Sequence, residues 1–109
     1  MNILGDNKQI LEDLGGITEQ EYKEFVKAFV SNCDIQIIKL KKALKKEDYD
    51  TIFQIAHNIK GEALTLALNE IGNLLNNLRC ESEQNRNNLS KVLNIFEKQI
   101  LELKKKLTI

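Results

Sequence analysis

No proline and no tryptophan occur in the 109 residues, and glycine appears only five times. Without proline, no position is obliged to kink or end a helix. No run alternates apolar and polar residues as a half-buried strand does, so a β architecture is excluded and an all-α chain is expected. Cysteine is nearly absent too: Cys33 and Cys80 stand far apart with no Cys-x-x-Cys spacing. They read as free thiols filling helix faces in a reducing compartment, with a redox bridge as the lesser alternative. One histidine and two scattered thiols make no zinc pattern.

A net charge is missing as well, since 16 basic residues balance 16 acidic ones. No overall field would draw the chain to nucleic acid or to an anionic membrane, although local patches remain open. The apolar runs are too short to span a bilayer, and Met1-Asn2-Ile3-Leu4-Gly5-Asp6 has no basic segment leading into an extended hydrophobic one. A cytoplasmic protein is the expectation. There is no internal repeat and no low-complexity segment.

What is present is period-3.6 apolar spacing, and 42% apolar residues are enough for one modest core. A short helix is expected over 8–14, stopped by Gly15-Gly16, a pair suited to the left-handed backbone that ends helices. Thr18-Glu19-Gln20-Glu21 reads as a capping box. The long helix that follows carries the stripe Tyr22, Phe25, Val26, Phe29, Val30, Cys33, Ile37, Leu40 and Leu44, and ends among Lys41, Lys42, Lys45 and Lys46. Asp48 or Asp50 caps a third helix running to about Leu66, and 67–69 mark a bend. A fourth helix turns Leu68, Ile71, Leu74, Leu75 and Leu78 inward. Residues 81–88 read as a polar loop. The last helix shows Leu89, Val92, Leu93, Phe96, Ile100, Leu103 and Leu107.

Amphipathic helices joined by short connections bury their stripes only against one another. The expectation is one domain over 1–109: a short N-terminal helix and turn over 1–17, and an antiparallel up-down-up-down four-helix bundle over 18–107. Ile35, Ile38 and Ile95 fall beside the main stripes, read as a wide core face or a floor under the N-terminal helix, with a self-association surface as the sharper alternative.

The only histidine, His57, lies in the third helix. Turning about 100° per residue, Ile52, Ile55, Ile59, Ala63 and Leu66 gather on the side opposite it. Its neighbours at helix offsets are Phe53, Lys60, Gly61 and Leu64. An imidazole set away from the core is a candidate nucleophile, because its deprotonated nitrogen is available near neutral pH. Lys60 is either an ordinary solvated lysine or a source of positive charge. Gly61 is harder to dismiss, since a mid-helix glycine costs about 1 kcal/mol against alanine.

The run Ala56-His57-Asn58-Ile59-Lys60-Gly61, followed by Glu62-Ala63-Leu64-Thr65-Leu66-Ala67, resembles the histidine phosphotransfer (HPt) domains of multistep two-component signalling. Their signature is approximately Ala-His-x-Leu-Lys-Gly, then small residues and a Leu-Gly step. Phe29 and Leu40-Lys41-Lys42-Ala43-Leu44 extend the likeness to nearly the whole chain, from about residue 18 to 107. Three positions depart. Ala67 stands where the family usually has glycine, which argues against a left-handed backbone there. Leu64 and Glu62 replace small residues.

The resemblance implies that His57 is the phosphoacceptor, taking the phosphoryl group from one receiver-domain aspartyl phosphate and passing it to another. Lys60 would stabilise its charge and Gly61 would leave clearance. Phe53, Gln54, Asn58 and Leu64 are the candidate partner contacts. Partners would be response-regulator receiver domains, a hybrid sensor histidine kinase, or both. The chain would be a phosphotransfer intermediate rather than an independent enzyme. It shows no Gly-x-x-x-x-Gly-Lys loop for ATP and no cofactor site of its own, and Mg²⁺ would come with the partner receiver. A monomer is expected, with a homodimer as the alternative. The rival function is a non-phosphorylated helical adaptor or dimerisation module of the same fold.

Overall fold

The computed structural model describes residues 9–84 and 86–107. Among them the chain forms five α-helices and one 3₁₀ turn: α1 (Gln9–Asp13), α2 (Glu19–Lys45), α3 (Tyr49–Thr65), α4 (Asn69–Gln84), the turn Arg86–Asn88, and α5 (Leu89–Leu107). The expected start of α1 at Lys8 lies outside the described residues, as do residues 1–7 of the expected domain. No described helix is long and apolar enough to cross a membrane.

The first three helices are bounded for local reasons. At the start of α2, Glu21 N–H donates to Thr18 Oγ1 and Thr18 N–H to Glu21 Oε1, both at 3.0 Å, completing the capping box. Asp48 caps α3, accepting from the Thr51 hydroxyl at 2.6 Å and the Thr51 amide at 3.3 Å. Those two bonds hold its carboxyl below the ordinary range. The cap therefore contributes stability at neutral pH that is lost as pH falls through that lowered value.

Three carboxyl ends share one device, a residue with positive φ bracketed by crossed hydrogen bonds. At the end of α1, Gly15 (φ 95) and Gly16 donate to Glu12 O and Leu11 O, both at 2.9 Å. After α2 the left-handed position is Glu47 (φ 56), with Asp48 N–H bonded to Ala43 O at 2.8 Å. After α3 it is Ala67 (φ 57), with Leu68 N–H bonded to Ala63 O at 2.9 Å. The expectation that Ala67 avoids this backbone is thus corrected. The two crossed bonds, and Leu66 and Leu68 packing on the core, outweigh the about 1–2 kcal/mol that a Cβ costs there.

The helices pack in a closed cycle, α2 on α3, α3 on α4, α4 on α5 and α5 on α2, with α3 and α4 the closest pair. This is the expected antiparallel bundle, with the short α1 laying Ile10 on the same core. Tyr22, Leu40, Ile52, Leu75, Leu78, Phe96 and Ile100 are buried at its centre. Each such side chain contributes about 1.5–3 kcal/mol by leaving water. The Tyr22 hydroxyl donates to Leu66 O at 2.6 Å, tying α2 to the end of α3, and burial pushes its pKa up.

Four expectations give way. Residues 81–84 are helix rather than loop: Ser82 is buried and its hydroxyl donates to Arg79 O at 2.6 Å, extending the buried face of α4 one more turn. Leu68 lies in the turn before α4, half-buried against the core, and Leu74 is only half-buried. Phe25 is 49% exposed instead of sealed in the core. Ile35, Ile38 and Ile95 are exposed as well, so among the described residues they floor nothing.

Candidate functional site

The α3 stripe faces the core through Ile52, Ala56, Ile59 and Ala63, all buried. That fixes the rotation of α3 and leaves His57 exposed on the outer side, as its wheel position predicts. Among the described residues neither ring nitrogen makes a hydrogen bond, and the one ring contact is with Phe53, stacked at 6.2 Å between centroids and 4° between planes. The imidazole is braced on a face while both nitrogens stay available.

Beside it stands a connected set of groups from α3 and α4. Lys60 Nζ donates to Asn76 Oδ1 at 3.4 Å, and Arg79 Nη2 donates to the same oxygen at 3.1 Å. The Arg79 guanidinium also lies over the Phe53 ring at 5.5 Å, on the aromatic group that stacks with His57. Arg79 Nη2 reaches Cys80 Sγ at 3.8 Å, and its Nε is buried without a partner. Two cations thus converge on one neutral carbonyl oxygen instead of on a carboxylate, and their positive charge remains uncancelled. Asn76 and Arg79 escape sequence reasoning because they come from another helix, 16 or more residues beyond Lys60. An arginine and an asparagine at i and i−3 on α4 are the faint available signal.

Gly61 lies on the other flank. A Cβ built there would meet nothing within 4 Å, so among the described residues nothing fills the space its missing side chain leaves. It opens onto a groove of about 870 Å³ between α2 and α3, lined by Phe25, Ala28, Phe29 and Asn32 on one side and Asn58, Gly61, Glu62, Thr65 and Leu66 on the other. Phe25, expected in the core, is an apolar wall of this groove. Asn58 belongs to the groove, and Gln54 is exposed and lines a separate cleft with Tyr49, Phe53 and Arg86. Arg86 stacks over Tyr49 at 4.0 Å.

Leu64, where the resemblance leads one to expect a small residue, is 45% exposed. Its side chain leans on Gly72 of α4, where a Cβ would come within 2.6 Å of Leu64 Cδ2. The bulk on α3 is matched by a gap on α4, which draws Leu64 sideways while leaving half of it on the surface near His57. Glu62 is exposed at the groove.

The remaining nucleophile of note is silent. Cys33 is buried, and burial first, then the Glu62 and Asp34 charges, push its thiol up to about 12. It stays protonated at neutral pH, which removes its nucleophilic form. Among the described residues no three His, Cys, Asp or Glu side chains converge to hold a metal ion.

A family model described as Hpt domain matches residues 24–105, which includes every residue of this face. None of the curated proteins and none of the solved structures matches the chain.

Proposed function

The chain belongs to the Hpt domain family, whose members take part in histidine phosphotransfer in two-component phosphorelays, and on that premise we propose that His57 is its phosphoacceptor. The observation that carries this reading is the exposed imidazole with both nitrogens unengaged, flanked by two uncancelled cations and an open groove. A structural histidine would be tied down by hydrogen bonds. An adaptor would have no use for positive charge concentrated beside one ring.

The reaction follows from the groups present. An unprotonated ring nitrogen of His57 attacks the phosphorus of a receiver's aspartyl phosphate. The N–P bond forms as the P–O bond to the aspartyl carboxylate breaks, and the carboxylate departs with that electron pair. Passing the group on to a second receiver runs the same exchange in reverse. The transition state is loose and anionic, so position and positive charge supply most of the assistance. Lys60 provides the charge, Arg79 and Asn76 set its direction, and Phe53 holds the ring plane. Gly61 lets the receiver's acidic pocket come close to the ring, and Phe25, Asn58 and Leu64 supply contacts around it. Gln54 is a rim contact. The donor set for Mg²⁺ would lie on the receiver, and the exchange is placed in the cytoplasm with its receivers and any hybrid kinase.

The test is label transfer from a panel of receivers precharged with a small acyl phosphate and Mg²⁺, to the wild type and to His57→Gln. Acid-labile, alkali-stable label is expected on the wild type alone. No label from any receiver, with both proteins folded, would replace this reading with the non-phosphorylated adaptor.

A further inference from the structure

The opposite side of the bundle carries a short correspondence that no whole-chain repeat announces. On α2 the run is Asp34-x-x-Ile37-Ile38-x-x-Lys41, and on α5 it is Glu97-x-x-Ile100-Leu101-x-x-Lys104. The two helices pack against each other with the runs in opposite directions, so that Lys104 pairs with Asp34 at 2.7 Å and Lys41 with Glu97 at 2.8 Å. Between the two ion pairs Ile38 and Leu101 sit exposed, at 69% and 51%, along a groove on the α2/α5 seam. Exposed aliphatic side chains at the centre of a rim whose corner charges are paired, with Lys98 as a further lysine on the groove, are the layout of an interface.

The charges identify the occupant. Along α2 the rim runs negative then positive, and along α5, at the same two ends, positive then negative. The four corners therefore alternate in sign around the apolar centre. When a second copy of such a face is laid on the first by a twofold axis in the plane of contact, along the seam or across it, each of the four corner charges meets one of opposite sign. Isologous contact requires this self-complementarity, and a face of one sign could not supply it. We propose that the α2/α5 seam is a twofold dimerisation surface for a second copy of this chain, centred on Ile38 and Leu101. The Asp34 to Lys41 span is about 10 Å, so the interface is small and the dimer weak and concentration-dependent. The surface lies across the bundle from the α3/α4 face, so both His57 side chains stay open to receivers in the dimer. The proposal does not rest on phosphorylation of His57.

Sedimentation equilibrium of the full chain from micromolar to millimolar concentration tests it. The wild type is expected to show a reversible monomer–dimer equilibrium that weakens as salt is raised. Ile38→Glu and Leu101→Glu should each weaken it at least about tenfold with an unchanged melting profile, because both side chains are already exposed. Ile95→Glu, an exposed isoleucine outside this seam, should leave it intact. A wild type that stays monomeric throughout overturns the proposal and assigns the face to a different partner. So does a dimer broken by Ile95→Glu but not by Ile38→Glu.

Discussion

The α3/α4 face and the α2/α5 face are built from the same materials, lysines and apolar side chains on packed helices, yet they treat charge in opposite ways. On α2/α5 two of the three lysines lining the groove are held by carboxylates, Lys41 by Glu97 and Lys104 by Asp34, and Lys98 is the third. On α3/α4, Lys60 and Arg79 share the neutral Asn76 oxygen. Paired corner charges around Ile38 and Leu101 suit contact with another protein surface. An uncancelled pair of cations beside an exposed imidazole suits a dianionic group in transit. Net charge alone, which is zero, reveals neither arrangement.

The substitution that would break this comparison most severely is Lys60→Ala. Removing one charge donor to a developing anion typically costs about 10²–10³-fold in rate. Because Lys60 is half-exposed and Arg79 remains, transfer from a charged receiver should fall toward the lower end of that range, about 100-fold. Asn76→Ala, which frees both cations without deleting either, should cost less. Rapid-quench transfer assays separate the two, and an equal loss in both variants would mean that the cations act only as part of the fold.

Gly61→Ala comes next, and it should move two readouts in opposite directions. Replacing a mid-helix glycine gains up to about 1 kcal/mol, and the added Cβ meets nothing among the described residues, so the melting temperature should rise. The methyl group projects into the space a receiver needs, so transfer should slow. Stabilisation with undiminished transfer would show that the clearance is not used.

How much of this could be read from the sequence depends on whether the signal is local. The capping box at Thr18, the stop at Gly15-Gly16 and the position of His57 opposite the α3 core follow from spacings of four residues or fewer. Glu47 and Ala67 end helices by the same crossed bonds as Gly15, but nothing in their side chains marks them, because the tertiary packing of the next helix holds the turn. Phe25 shares the apolar spacing of its neighbours and still faces the groove, since periodicity gives the stripe but not the width of what covers it. Asn76 and Arg79 join the site only through the pairing of α3 with α4, a contact no single-helix pattern contains.

The turn at Ala67 is what folds α4 back to bring Asn76 to Lys60, and it bears a smaller prediction. Ala67→Gly removes a left-handed Cβ worth about 1–2 kcal/mol of strain, while the freer unfolded chain gives back about 0.4–1. The net is a stabilisation of about 0.8 kcal/mol, measurable by urea unfolding. Destabilisation would mean that the Ala67 methyl packs usefully, since the residue is half-buried against the core.

The smallest effect sharpens the comparison by placing the same substitution on the other face. In Lys41→Ala the lost ion pair is about half-exposed on both sides, so solvent screening limits the cost to about 0.5 kcal/mol or less, vanishing at high salt. Transfer to His57 should be unchanged. The bundle measures 24 × 18 Å across its two shorter axes, and charges are screened over about 8 Å at physiological ionic strength, so Lys41 contributes almost nothing at the imidazole. If Lys41→Ala slowed transfer as Lys60→Ala does, the assistance would come from the summed field of the lysines and not from where Lys60 and Arg79 are held. The distinction between the two faces would then be one of apolar surface alone.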